Sequence, residues 1–145
     1  MAEAWVPLAT ITLSSATASI VFNSIPSGYR DLVLVCEFEI TGFGGTRFRV
    51  NNDSSSIYNM TIAKSYSGGV QGELSSGNST ITPQTVGFSG GPVLNIIQIF
   101  DYADTNKFKS MLIRANVVGS ITEMSAAMWA STSAISQLNV YLDSN

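Results

Sequence analysis

Residues 30–41 read RDLVLVCEFEIT, and their hydrophobic period is two. Leu32, Leu34, Cys36, Phe38 and Ile40 fall on one side of an extended chain, because successive side chains of a strand point to opposite faces. The other side opens apolar, with Val33 and Val35, and ends charged, with Glu37 and Glu39. Such a strand is expected to run from a covered centre to a wet edge. On its C-terminal side, residues 46–51 alternate with Phe48 and Val50 inward and Arg47 and Arg49 outward. On its N-terminal side, residues 17–23 place Ile20 and Phe22 together and are expected to pair with residues 8–14 across Ser15-Ala16.

The same period returns later. Residues 93–102 carry Leu94, Ile96, Ile97, Ile99 and Phe100 and read as a central strand covered on both faces. Residues 107–118 put Met111, Ile113, Ala115 and Val117 on one side. Between the two, residues 101–107 hold Asp, Asn and Thr, whose short side chains bond their own backbone in turns, so a hairpin is expected. Gly119-Ser120 leads into residues 121–131, where Met124, Ala126, Met128 and Ala130 share a side. Residues 135–143 follow, with Leu138, Val140 and Leu142 inward.

The middle is less regular. Residues 51–56 and 66–91 are rich in Gly, Ser, Thr and Asn, with short extended pieces at 57–63 and around Ile81 and Val86. Long polar loops in a compact domain usually have a use, so contacts are expected there first. No segment shows a helical stripe over ten or more residues. About eight to ten strands separated by turn signals specify an all-β chain, an antiparallel β-sandwich of jelly-roll-like form. Residues 1–7 are expected to form an N-terminal arm and residues 8–145 a single domain.

The chain has 145 residues, of which 45% are hydrophobic and only 12% charged. Charged residues at about half their usual share leave a surface of hydroxyls, amides and backbone, which is cheap to dehydrate in protein–protein contact. The net charge is −3, and the seven basic residues are spread from Arg30 to Arg114, so no cluster could neutralise a run of phosphates and no nucleic-acid partner is expected. No membrane partner is expected either. No run approaches the roughly 20 apolar residues of a bilayer span, and Met1-Ala2-Glu3-Ala4-Trp5 lacks the basic-then-apolar order of an export signal.

The absence of histidine removes the commonest general base and the usual transition-metal ligand. One cysteine, Cys36, cannot form an internal disulfide and reads as a small core residue. Gly42-Phe43-Gly44-Gly45 lies between two strands and reads as a turn. Two carboxylate pairs remain for acid–base work, Glu37 with Glu39 and Asp101 with Asp104. The first reads as the solvated end of a strand. Asp101, Asp104 and Asn106 could offer oxygens to calcium, but the spacing does not match the twelve-residue loop and a plain turn is favoured. Asn52, Asn59 and Asn78 begin Asn-x-Ser/Thr triplets of the sort that a chain rich in these residues carries by chance. No enzyme activity and no cofactor are expected.

Among the aromatics, Tyr58, Tyr66 and Phe88 lie in or beside the polar loops. They could form a platform for a sugar ring or pin the loops to the core. Trp5, just before Pro7, lies outside any strand pattern and must be buried against something, either its own chain or a neighbouring subunit. Trp5, Pro7, Tyr58, Tyr66 and Phe88 are thus the candidate interface residues.

Four segments resemble a domain recurring in tailed-bacteriophage virion proteins, especially those of cyanobacterial and marine phages. LATITLSSATASIVFNSIPSGYRDLVLV (residues 8–35) is similar to that family's opening, two short strands and a Ser-Ile-Pro-x-x-Tyr turn before Asp-Leu-Val-Leu-Val. TRFRVNNDSSSIY (46–58), IFDYADTNKFKSMLIRA (99–115) and MWASTSAISQLNVYL (128–142) resemble its Arg-x-Arg-x-Asn-x-Asp, Lys-x-Lys and Trp-x-Ser-Thr-x-Ala-Ile segments. The family's further strand after Ala-Ile has no counterpart before Asn145, so either the sheet ends earlier or another element covers that edge.

The resemblance implies a β-sandwich on the outer surface of the virion, made in the host cytoplasm and carrying no catalytic residues. The expected function is capsid decoration, as a cement protein bound to the major capsid protein and to copies of itself, with a trimer as the assembly expected by analogy. The alternative is a tail-fibre or receptor-binding domain, with a host surface glycan at residues 65–79.

Overall fold

The computed structural model describes residues 5–39, 45–66, 69–83, 91–119 and 121–142, and for Tyr66 the backbone alone. They form nine strands and, among the described residues, no helix. These are β1 (Ser19–Phe22), β2 (Leu32–Glu39), β3 (Thr46–Val50), β4 (Tyr58–Tyr66), β5 (Gly69–Asn78), β6 (Pro92–Ile99), β7 (Lys109–Val117), β8 (Ile121–Trp129) and β9 (Leu138–Leu142). They make two antiparallel sheets, one in the order β1-β9-β3 and the other β2-β6-β7-β8-β4-β5. The chain steps from one sheet to the other at β1–β2, β2–β3, β3–β4 and β8–β9, giving the wrapped, jelly-roll-like sandwich that the alternation required.

The core is where the two sheets' inner faces meet. Leu32 and Leu34 of β2, Ile97 and Ile99 of β6, Met111 and Ile113 of β7 and Trp129 of β8 pack against Phe48, Val50, Leu138 and Val140 of the smaller sheet. Each such side chain contributes about 1.5–3 kcal/mol by leaving water. The burial pattern of β7, strict alternation of buried Met111, Ile113, Ala115 and Val117 with less buried neighbours, matches the sequence expectation, as do inward Phe48 and Val50.

Three readings need correction. Residues 8–14 form no strand, and β1 pairs with β9 instead, Ile20 opposite Val140 and Phe22 opposite Leu138. A two-residue hairpin turn needs positive φ, which Gly, Asn or Asp supply and Ser15-Ala16 do not. Residues 69–78 are no loop but β5, hydrogen-bonded to β4 along its length. Strand β6 is not covered on both faces: Val93, Asn95, Ile97 and Ile99 are buried, whereas Leu94 and Ile96 are half-buried. In β8, Met124, Ala126 and Met128 share a side as expected; it is the outer one, and Glu123, Ser125, Ala127 and Trp129 are buried. The last strand is not an edge, because β1 and β3 flank β9 on its two sides.

Candidate functional site

The connections 23–31, 51–57, 100–108 and 130–137 gather at one end, because β2 starts opposite the end of β6 and β4 and β7 start opposite Trp129. This loop end is held by side-chain hydrogen bonds. Val50-Asn51-Asn52-Asp53 is a tight turn: the Asp53 N–H donates to the Val50 carbonyl (2.9 Å), and Asn51 and Asn52 have φ of 52° and 53°. Asparagine tolerates that left-handed backbone, as two successive positions of a primed turn demand. The Asn51 side chain then accepts from Ser136 N (2.9 Å) and Gln137 N (3.2 Å) and donates to the Ala134 carbonyl (2.8 Å). It thereby ties the β3–β4 connection to the β8–β9 connection.

Asp53 accepts from the Ser55 N–H and from the Trp129 indole N–H, both at 2.9 Å. The Ser55 amide, with the indole and the Arg49 guanidinium helping, holds its carboxyl below the ordinary aspartate value. Tyr58 is fully buried; its hydroxyl donates to the Asp53 carbonyl at 3.0 Å, and burial pushes its pKa up to about 12. Lys109 is fully buried as well. Its ammonium donates to the carbonyls of Asp104 (2.6 Å), Lys107 (2.9 Å) and Thr132 (3.2 Å), which uses all three of its hydrogens. Burial lowers its pKa. The Tyr102 hydroxyl donates to the Pro26 carbonyl.

The loop end is therefore architecture, and several candidates dissolve into it. Tyr58 presents no ring to solvent, so it pins a loop and offers no platform. Asp101 is occupied by Lys107 at 2.7 Å and Arg30 at 3.4 Å, and Asp104 accepts from the Asn106 N–H at 2.7 Å. Among the described residues no group of three or more His, Cys, Asp or Glu is placed to hold a metal. Asn59 and Asn78 bond within the β4–β5 hairpin, and Asn52 accepts from Asn139. Cys36 is partly buried with its pKa raised to about 11 by burial, an unreactive thiol. Phe88 and the side chain of Tyr66 lie outside the described residues.

The outer face of the six-stranded sheet is built differently. Residues directly opposite one another in neighbouring strands share a face, so the pairings place Val35, Ile96, Arg114, Met124 and Ala63 in one row. The row beside it is Val33, Gln98, Leu112, Ala126, Thr61 and Leu74, and the row on the other side is Glu37, Leu94, Asn116, Thr122, Ser65 and Val70. Only Arg114 and Glu37 are charged. Val35 is 61% exposed, Met124 58%, Leu74 82% and Val70 83%. A shallow groove of about 430 Å³ lies between Ala63, Val70, Leu94, Ile96 and Met124. At ordinary strand spacing these rows span on the order of 500 Å², with apolar side chains interleaved with the uncharged polar Gln98, Thr61, Asn116, Thr122 and Ser65. Charge is costly to dehydrate and two charges are few, so this face suits burial against another protein.

The outer face escaped the sequence reading, although its signal was there. Apolar residues on both phases of β2 and β6, Val33 and Val35, Leu94 and Ile96, looked like cover on both sides, but among the described residues no element covers the second side. Residues 5–16 form the other exposed apolar element. Trp5 is 69% exposed and Pro7 is exposed too, so the ring expected to be buried is not buried within this chain. With Ile25, Pro26, Leu32 and Leu34, the segment borders a groove of about 750 Å³. Comparison with family models, with curated proteins and with solved structures gives no match.

Proposed function

We propose that this chain is a structural protein of a bacteriophage particle that attaches to the outer surface of the head by the outer face of its six-stranded sheet. The observation that carries this reading is the wide face of Val35, Ile96, Met124 and Leu74, with few charges, which no element among the described residues covers. The resemblance of four segments to phage virion domains supplies the setting, and the low charge of the chain supports adhesion to protein. The partner in this reading is the major capsid protein, and the work is done by buried area without covalent chemistry.

The test is attachment of purified protein to heads that lack it, imaged by cryo-electron microscopy. Met124→Glu and Leu74→Glu place charge on the face at well-exposed positions and are expected to lower occupancy at least tenfold with the fold intact. Occupancy unchanged by both, or saturable binding to a host glycan instead of to heads, overturns the proposal.

A further inference from the structure

We propose that residues 6–13 of one copy add as an antiparallel strand to the free edge of β2 in a second copy. This goes beyond attachment to a particle: it concerns contact between copies and depends on nothing in that reading.

Among the described residues, none of residues 5–16 makes a hydrogen bond to the rest of the chain. Val6, Leu8, Ile11 and Leu13 are each more than 40% exposed. Yet residues 9–13 read ATITL, alternating and β-branched, a composition that favours a strand and is unlike solvated tails, which are poor in such residues. The segment has a strand's composition but, among the described residues, pairs with nothing in its own chain.

The ladder it fits is β2. Its eight residues pair with β6 on one side only, in unbroken register. Among the described residues the other edge has neither lysine nor proline nor bulge, and its charges, Glu37 and Glu39, lie in its second half. Residues 6–13 match it in length, both running about 27 Å when extended.

Direction selects a second copy over the chain's own β2. Strand β1 ends and β2 begins at the loop end. Residues 5–11 share a groove with Ile25 and Pro26 and with Leu32, Val33, Leu34 and Val35 of their own β2 yet bond none of them, and the segment must then reach Ser19, the start of β1, at the opposite end. It therefore runs in the same sense as its own β2 and could meet it only as a parallel strand, the less stable ladder. A second copy can present its β2 in the opposite sense. Handing the arm to the next copy closes into a pair or a small ring.

The test uses the full chain and a Thr10→Pro/Ile11→Pro variant. Two adjacent prolines remove two amide donors, one of which must face β2 in any register, and no bond within the described chain is lost. Wild type is expected to associate at micromolar concentration by analytical ultracentrifugation, with slow amide exchange in residues 6–13 and in β2. The variant is expected to weaken association at least tenfold, to lose that protection and to keep its melting temperature. A wild type that stays a 15.4 kDa monomer at every concentration overturns the inference. So does association that survives the prolines. Met124→Glu separates the two proposals, since it is expected to reduce attachment to heads and leave self-association unchanged.

Discussion

The loop end and residues 5–16 are both irregular chain, and they satisfy their backbone in opposite ways. At the loop end Asn51, Asp53, Tyr58 and Lys109 bond the carbonyls and amides that no strand takes up. The N-terminal segment has no such partners among the described residues. Polar residues in the loops are consumed by the fold, so they are poor candidates for contact with another molecule. The open apolar surfaces are the arm and much of the outer face of the large sheet. Of the polar stretches where contacts were expected first, residues 51–56 bond within the fold, residues 69–78 form a strand, and residues 84–90 lie outside the described residues.

The comparison breaks most visibly at Lys109. Lys109→Met keeps the volume but leaves three carbonyls without their donor, and is expected to lower stability by about 2–4 kcal/mol in denaturant titration. An effect under 0.5 kcal/mol would mean that water replaces the ammonium and that the loop end is not stapled there. Asn51→Ala follows. It removes three side-chain bonds and puts alanine at a left-handed φ, with an expected loss of about 1.5–3 kcal/mol.

Asp53 sharpens the comparison through pH. Its folded carboxyl lies below the ordinary value of 3.8, so the unfolded state binds its proton first as pH falls. The stabilisation is complete above that unfolded value and drains away as pH drops below it, through the folded value. Melting followed from pH 6 down to about 2 should show this loss, and Asp53→Asn, which carries no such titration, should flatten it. The smallest effect belongs to the open surface: Met124→Glu is expected to change stability by less than about 0.5 kcal/mol, because its side chain touches mostly solvent.

Several of the residues that bond the loop end sit in short sequence patterns. Arg-x-Arg-x-Asn-x-Asp contains Asn51 and Asp53, the second lysine of Lys-x-Lys is the buried Lys109, and Trp129 opens the Trp-x-Ser-Thr segment. Those residues maintain the fold. Much of the fold was legible because period two survives in β2, β3, β7 and β9. Strand β5 was not, because Gly69–Asn78 carries Gly, Ser and Gln where a half-covered strand would alternate. It lies at the sheet's edge, beyond the three-stranded cover. Glu73, opposite Ile62, faces the inner side there and is still exposed enough to pair with Lys64 at 3.3 Å. Lys109 was illegible for a related reason: its burial depends on carbonyls from residues 104, 107 and 132, brought together only by the closed turn and the neighbouring connection.

By itself the sequence determined the class of fold, since alternating apolar faces can be buried only by stacking sheets, and it determined most of what fills the core. Tertiary structure alone decided which apolar faces stay open. Val35 and Leu34 look equally buriable along the chain, and they differ because a three-stranded sheet covers one side of a six-stranded one. Covering is a property of what lies opposite, and the residues opposite come from distant parts of the chain.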